Sequence, residues 1–456
     1  MKLKHLPIIL VLLSFLIIKI TNLGVRLSDT NIYFDIAYQI TQGKIIYRDF
    51  FFSNFPLFAY ISSLYYFLVG KNLELFFTTT VLEVITISSL IYYITYKKTK
   101  GYIVSFLSVI LYIFSFIVLS TSDHQTGVFT ASLFAVLGYL FLYKKNYFLS
   151  GLFVAMSLFT KAYFIPVTAS FFVYILLKRN FKNFLIFTIT FIIIGLFIVL
   201  PSLLLSPKEF IHDIFLFSLS RPAGTLKSDV LGFFIGKDFL FFVILIFNLI
   251  NFKKNLFFSL ISLFSIILFF YFQDVYYLYL NFAIPFLCLS LYEIYDFWTK
   301  DLKLEKIIIA SVVIVFIVFN LFNYLSGYKD LEKISNFETM TKSIIQQKPK
   351  YLYGVNDITP AFFSITNLLP IDNVRDAHEY FFSKNALNKE ALTNKAIHSK
   401  TIIISHGAYY PDQNIDQKIV DGIFDNNLVL KSCKLLASFP VQAEGVINRI
   451  NLFKCF

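Results

Sequence analysis

A chain of 456 residues that is 57% hydrophobic and only 15% charged is not a water-soluble domain, which at this length carries about 25% charge. Mean hydropathy is +0.70, and the apolar residues come in runs of roughly 18 or more, long enough to cross a ~30 Å hydrocarbon layer as helices. Such runs would leave large apolar patches in water. The formal charge of +12 sits in short clusters between them, which excludes nucleic acid as the natural partner and points to membrane topology. The 58 phenylalanines and 29 tyrosines suit lipid-facing and interfacial positions.

Met1 to about Leu23 has the basic start and apolar middle of a secretory signal. No small-x-small cleavage site follows, so it reads as an uncleaved first helix, with a cleaved signal as the alternative. Candidate spans then follow at 5–23, 73–96, 101–120, 125–143, 147–160, 162–177, 184–205, 237–252, 255–273, 275–296 and 305–325. The 147–177 stretch is either two spans or one span and a re-entrant piece. The expected fold is mostly α, a polytopic bundle of about eleven transmembrane helices.

The charges test this count. With the N-terminus inside, every cytoplasmic loop is basic: Lys2 and Lys4; Lys97, Lys98 and Lys100; Lys144 and Lys145; Lys178, Arg179 and Lys182; Lys253 and Lys254; Lys300, Lys303 and Lys306. The loops near 24–72, 121–125 and 206–236 fall on the other side, with weak or mixed charge. An odd number of spans places the C-terminus outside the cytoplasm. The expected domains are a membrane domain over 1–329 and a small extracytoplasmic α/β domain over 330–456, where hydrophobicity falls.

The first outer loop, about 24–72, has its own pattern. Ser28 and Asp29 look like a helix N-cap, and Ile32, Tyr33, Ile36, Ala37 and Ile40 recur at helical spacing up to Gly43. This predicts an amphipathic helix on the membrane surface, with a second from Pro56 to about Gly70. The third outer region holds Pro207, Pro222 and Gly224. In the C-terminal region, 351–355 and 401–405 read as short buried strands and 417–426 as a helix. Cys288 lies in an apolar run and reads as a packing residue. Cys433 and Cys455 are free to pair if that side is oxidising.

Asp29, Asp35, Arg48 and Asp49 fall within one short stretch beside the bilayer. The positive end of the predicted helix favours an ionised Asp29. A carboxylate held there either caps the helix or serves as general base to an incoming hydroxyl or amine. Arg48 suits a phosphate bidentately, or else pairs with Asp49 or Asp35. In the next outer loop, TSDHQTG at 121–127, Asp123 either caps the following helix or joins His124 in a pocket on the side that holds Asp29. Lys161 is isolated in an apolar stretch, so it either snorkels or meets an anion. His212, Asp213, Arg221 and Pro222 are further pocket candidates. Tyr276, Tyr277 and Tyr279 read as an interfacial aromatic belt.

The pattern Asp29, Tyr33, Ala37, Gly43, Tyr47-Arg48-Asp49-Phe50, Asn54 and Pro56 resembles the GT-C membrane glycosyltransferases. Within them it resembles the group of protein O-mannosyltransferases, the lipid A aminoarabinose transferase and the RgtA/B/C/D-like enzymes. The resemblance implies transfer of a sugar from a polyprenyl-phosphate donor to a lipid, glycan or protein acceptor on the outer face, with inversion. It assigns the base to Asp29 and a pocket lined by Tyr33, Arg48, Asp49 and Lys161, with the two cationic side chains toward the lipid phosphate. It also brings Asp123 and His124 near the pocket, where a His–carboxylate pair is able to ligate a divalent cation. Many members carry Asp-Glu where this chain has Asp29-Thr30, so no second acidic role transfers. The rival readings are a transporter or flippase, which calls for paired intramembrane charges or broken helices in related halves, and a non-catalytic scaffold of the cell envelope. No P-loop, Rossmann glycine fingerprint or zinc-protease motif is present.

Overall fold

The computed structural model describes residues 5–220, 225–272, 275–298, 303–383, 387–410, 414–442 and 447–456. Lys2, Lys4, Arg221, Pro222, Gly224 and Lys300, singled out above, lie outside the described residues. The helices in chain order are α1 (Leu6–Thr21), α2 (Thr30–Thr41), α3 (Pro56–Val69), α4 (Leu73–Thr99), α5 (Tyr102–Ile113), α6 (Phe116–Thr121), α7 (Val128–Tyr143), α8 (Tyr147–Leu158), α9 (Ile165–Leu177), α10 (Phe181–Leu205), α11 (Pro207–Ile211), α12 (Phe217–Ser220), α13 (Lys227–Ile250), α14 (Leu256–Tyr271), α15 (Ile284–Trp298) and α16 (Lys303–Leu325). They are followed by α17 (Phe337–Gln346), α18 (Thr359–Thr366), α19 (Glu379–Ser383), α20 (Lys389–Ile397) and α21 (Asn426–Ser432). The strands are β1 (Tyr351–Gly354), β2 (Leu369–Pro370), β3 (Thr401–Tyr410), β4 (Ile415–Gln417), β5 (Lys434–Pro440) and β6 (Arg449–Cys455).

The chain forms two compact units that interleave in sequence. The first contains Met1–Thr21, Phe52–Phe58 and Thr78–Lys329; the second contains Asn22–Phe51, Ala59–Phe77 and Asp330–Phe456.

The first unit is the bundle of apolar helices. Among the described residues α4, α10 and α13 are long and apolar enough to cross a bilayer outright, and the rest are shorter apolar helices. Each of the eleven predicted spans corresponds to a helix or a broken helix. Polar caps set several starts: Asn146 accepts from Leu149 N at the head of α8, and Asn180 from Asn183 N at the head of α10. The predicted 101–120 span is broken into α5 and α6, because Ser115 turns to an extended backbone and accepts from Val118 N. The 147–177 stretch is two short helices, α8 and α9, joined through a 3-10 turn at Ala162–Phe164. Gly151 lets α8 touch α10, since a Cβ there would stand 2.6 Å from the Phe187 carbonyl oxygen.

Breaking a helix in a bilayer orphans backbone groups that lipid cannot satisfy. Here a distant carboxylate answers them. Asp238, fully buried at a kink in α13, accepts from Phe116 N at 2.8 Å and Ile117 N at 2.9 Å, the first amides of α6. At the other end, the ammonium of Lys19 donates to the Leu119 carbonyl at 2.8 Å and to Tyr324 at 3.0 Å. A short helix thus has an anion at its positive end and a cation at its negative end. Half-buried Tyr277 donates its hydroxyl to Asp238, so this member of the expected aromatic belt is tied into the bundle.

The second unit is an α/β fold around a sheet ordered β2-β1-β3-β6-β5, with β4 paired to β3. The strand β1 runs parallel to β2 and β3, while β6 runs antiparallel to β3 and β5. Eight successive residues of β3, Thr401–Ala408, are buried, as expected for a central strand covered on both faces. A disulfide joins Cys433 to Cys455, before β5 and at the end of β6. The helix expected at 417–426 is instead the end of β4 and a turn; helix α21 starts only where Asp425 accepts from Leu428 N.

The amphipathic helix predicted from Ser28 is α2, and the left-handed Gly43 (φ 80°) closes it. It is more buried than an interfacial helix would be. Asn31, Tyr33, Phe34, Asp35, Ile36, Ala37 and Gln39 are all buried, and the helix packs on α18 in the core of its own unit. Asp35 explains how a carboxylate is tolerated there. Arg375 donates to both its oxygens at 2.9 Å, and Ser364 donates at 2.8 Å. Burial still pushes the Asp35 carboxyl upward, with Arg375 opposing. Removing one partner of a buried pair leaves an uncompensated charge, at a cost of about 3–5 kcal/mol. Arg375→Ala is therefore expected to loosen α2, seen as a lower Tm and new proteolysis within residues 30–41. The Asp35→Asn/Arg375→Met double variant is expected to recover part of the loss.

Candidate active site

Several of the acidic and basic groups named above are paired within the chain, some with neighbours and some with distant residues. Arg48 donates through Nε to Asp49 Oδ1 at 2.9 Å and through a terminal nitrogen to Oδ2 at 3.0 Å. The Ile45 amide also donates to Asp49 at 2.8 Å, and the two contacts hold the Asp49 carboxyl down at about 2. Asp35 belongs to Arg375. Asp123 is buried and stands 3.2 Å from the ammonium of Lys19, while His124 Nε2 lies 4.0 Å away. Asp123 does not cap the next helix, which starts from the left-handed Gly127 (φ 82°). Among the described residues no three His, Cys, Asp or Glu side chains gather as a metal site. The expectation of a cation at Asp123 and His124 meets a cation of the chain's own, the Lys19 ammonium.

Asp29 is different. It occupies the N-cap position of α2, in right-handed helical conformation, and its carboxylate makes no capping hydrogen bond. The neighbouring Ser28 Oγ accepts from the Thr30 amide at 3.3 Å instead. Asp29 is exposed, whereas Thr30, Asn31 and Tyr33 are buried. The chain entering Asp29 is fixed from two sides. Leu27 N donates to the Glu332 carbonyl and Ile334 N to the Val25 carbonyl, both at 2.9 Å. Ser28 N donates to the Asp357 carbonyl at 3.1 Å, and Asn31 Nδ2 donates to the carbonyls of Arg26 at 2.7 Å and Asp357 at 2.5 Å.

In the first unit, Lys161 is only 4% exposed and does not snorkel. Its ammonium donates to Asn54 Oδ1 at 2.7 Å and lies 5.4 Å from the Phe58 ring. The Asn54–Pro56 motif is therefore seated on the Thr-Lys segment. Three further contacts seat it: Phe52 N donates to Asp213 Oδ2 at 3.1 Å, and Phe55 meets the rings of Phe159 and Phe215. Gly127 meets Phe58 so closely that a Cβ would fall 2.7 Å from its ring. His212 contacts Asp213 at 3.0 Å. Tyr163 stacks on Tyr279 at 3.8 Å beside a small apolar indentation, lined also by Leu268, Phe269, Phe272 and Phe282.

Little local sequence signal marks Lys19, Asp238, Arg375 or a cluster where the loop after β1 meets the middle of β3. There His406, 7% exposed, has Nδ1 2.8 Å from Asp421 Oδ1 and Nε2 3.0 Å from Asp357 Oδ2, and its amide donates to Asp421 Oδ2 at 2.8 Å. Burial alone would lower the imidazole, but the two carboxylates outweigh it and lift His406 to about 10. Only an isolated histidine inside an apolar strand hinted at this. A base whose folded value is raised contributes stability that is complete below its free value of 6.5 and is lost as pH rises through about 10. The second unit is thus expected to lose thermal stability between those values, and His406→Gln to flatten that slope in a pH series of melting curves.

The chain thus combines a unit of apolar helices, three of them long enough to cross a bilayer among the described residues, with a small α/β unit, and the Asp29–Pro56 loop pattern is divided between the two. No protein-family model matches the chain, and no curated protein matches it. Among solved structures it resembles ArnT from Cupriavidus metallidurans. The structure of ArnT bound to undecaprenyl phosphate is 13% identical, with a TM-score of 0.64 over 98% of this chain and 97% of that one. The apo structure is 12% identical, with a TM-score of 0.67 over the same shares. At this identity the likeness defines the fold.

Proposed function

We propose that the chain is a membrane glycosyltransferase that moves a sugar from a polyprenyl-phosphate donor to a lipid, glycan or protein acceptor on the outer face, with Asp29 as general base. The observation that carries this is the state of the carboxylates. Asp35 is neutralised by Arg375, Asp49 is held near 2 and is too weak a base, and Asp123 faces Lys19. Asp29 alone in that set is exposed, with its carboxylate unused as a cap. The undecaprenyl phosphate bound to the ArnT of the same fold supports the donor class. The disulfide between Cys433 and Cys455 suits an oxidising compartment, and supports residues 330–456 as extracytoplasmic.

In the proposed reaction an acceptor O–H or N–H attacks the anomeric carbon from the face opposite the phosphate. The new bond forms as the carbon–oxygen bond to phosphate breaks, Asp29 takes the acceptor proton, and polyprenyl phosphate leaves with the electron pair. Lys161 offers the leaving phosphate a cation inside apolar surroundings, where its field is strong. Arg48 joins by exchanging its neighbour Asp49 for phosphate oxygens. Tyr33 supports Asp29 from one turn along α2.

Asp29→Asn retains the shape of the side chain but cannot accept a proton at neutral pH. It is expected to insert normally and to lose about 10²–10⁴-fold in turnover, measured as undecaprenyl phosphate released from a mixed undecaprenyl-phosphate-sugar fraction. Full turnover by an inserted Asn variant would defeat the proposal. Lys161→Met is expected to raise the half-saturating concentration of that donor fraction while leaving the acceptor's nearly unchanged. Equal changes for both substrates would remove Lys161 from the phosphate site.

A further inference from the structure

The cluster of Asp357, His406 and Asp421 plays no part in the transfer step, yet it adjoins the entry to α2. The strand β1 ends at Gly354, paired to Ile404, while its parallel neighbour β3 runs on to Tyr410. Asp357 lies in the loop after β1, and His406 lies two residues beyond Ile404 in β3. Ligand-facing loops in parallel sheets gather at this carboxyl edge. Asp357 has two separate jobs there. Its carboxylate faces His406, and its carbonyl oxygen accepts from both Ser28 N and Asn31 Nδ2. These two residues bracket Asp29.

We propose that His406 is a positioning residue for Asp29, acting through Asp357. The imidazole, itself fixed by Asp421 on its other nitrogen, holds the Asp357 side chain. With that side chain held, the 357 carbonyl cannot swing away from its two donors. The Asn31 amide group joins the 357 carbonyl to the Arg26 carbonyl, so the backbone on both sides of Asp29 is held to one point. The single-residue reach of Asp29 then depends on a side chain nearly four hundred positions along the chain. This inference rests on the reading of Asp29 as the base, and it adds the residue that aims that base. Misplacing a reacting group by about 1 Å can cost about 10²-fold in rate, so such a support is a natural requirement of the geometry.

The test uses the full-length protein in lipid nanodiscs, with His406→Gln and Asp357→Asn variants. Deuterium uptake of a peptide covering residues 26–33 is compared with that of residues 449–455 in β6. Both variants are expected to speed uptake in the first peptide by about 10-fold and to leave the second unchanged, as a local opening does. Turnover of the undecaprenyl-phosphate-sugar fraction is expected to fall about 10–100-fold with an unchanged half-saturating concentration, the pattern of a group that matters only in the transition state. The double variant is expected to be no slower than His406→Gln within about twofold, because both changes cut the same route. If His406→Gln opens β6 as well, Asp357→Asn, which lies outside the strands, decides alone. Unchanged uptake at 26–33 would overturn the proposal, and so would faster uptake with undiminished turnover, or losses that multiply in the double variant. Full turnover by Asp29→Asn would instead defeat the reading of Asp29 as base, whatever the exchange data show.

Discussion

A charge taken out of water must be answered by an opposite charge or by well-aimed hydrogen bonds, and much of this structure follows from that one requirement. The chain is poor in charge, but it buries Lys19, Asp35, Asp123, Lys161 and Asp238. Each buried group ties segments far apart in sequence. Lys19 joins the first helix to the loop after α6, Asp35 joins α2 to the region after β2, and Asp238 joins α13 to the head of α6. In a bundle whose greasy surfaces have little preference for one neighbour over another, such ties supply the register that hydrophobic burial cannot.

The same requirement separates the carboxylates by function. A carboxylate that is paired, buried or hydrogen-bonded serves architecture, because its proton affinity has been fixed by its partner. One left exposed at a helix N-terminus, with its capping duty taken by the adjacent serine, retains the freedom that proton transfer needs. Ser28 is thus as informative as Asp29. By supplying the oxygen for the Thr30 amide it leaves the aspartate unspent.

The membrane spans were legible in the sequence because lipid imposes a length and a polarity on each of them, and basic loops mark their ends. The break between α5 and α6 was not, because the residue that makes it tolerable, Asp238, comes from a helix more than a hundred positions later. The start of α2 at Ser28 and Asp29 was readable from local capping chemistry, and its end from Gly43. Its burial was not, since Phe34 and Ala37 look equally suited to a bilayer or to a protein core, and only Arg375 shows which. For Arg48 and Asp123 the residues left two alternatives open; Arg48 pairs with the adjacent aspartate, one of its alternatives, whereas Asp123 faces Lys19, a partner that local sequence does not indicate. The histidine cluster was illegible for the same reason: its three members are strangers in sequence and meet only through the order of strands in the sheet.

The interleaving of the two units has a consequence for biosynthesis. The second unit takes α2 and most of α3 from the segment between α1 and α4, but its sheet comes from the last part of the chain. While the ribosome works from Phe77 toward Asp330, at roughly 5–20 residues per second, the buried face of α2 has no sheet-side partner and Asp35 has no arginine. For tens of seconds the nascent loop must wait, its apolar stripe sheltered by lipid or by a chaperone. The amphipathic character that marks α2 in the sequence is thus suited to two successive environments, a bilayer surface during synthesis and a protein core after it.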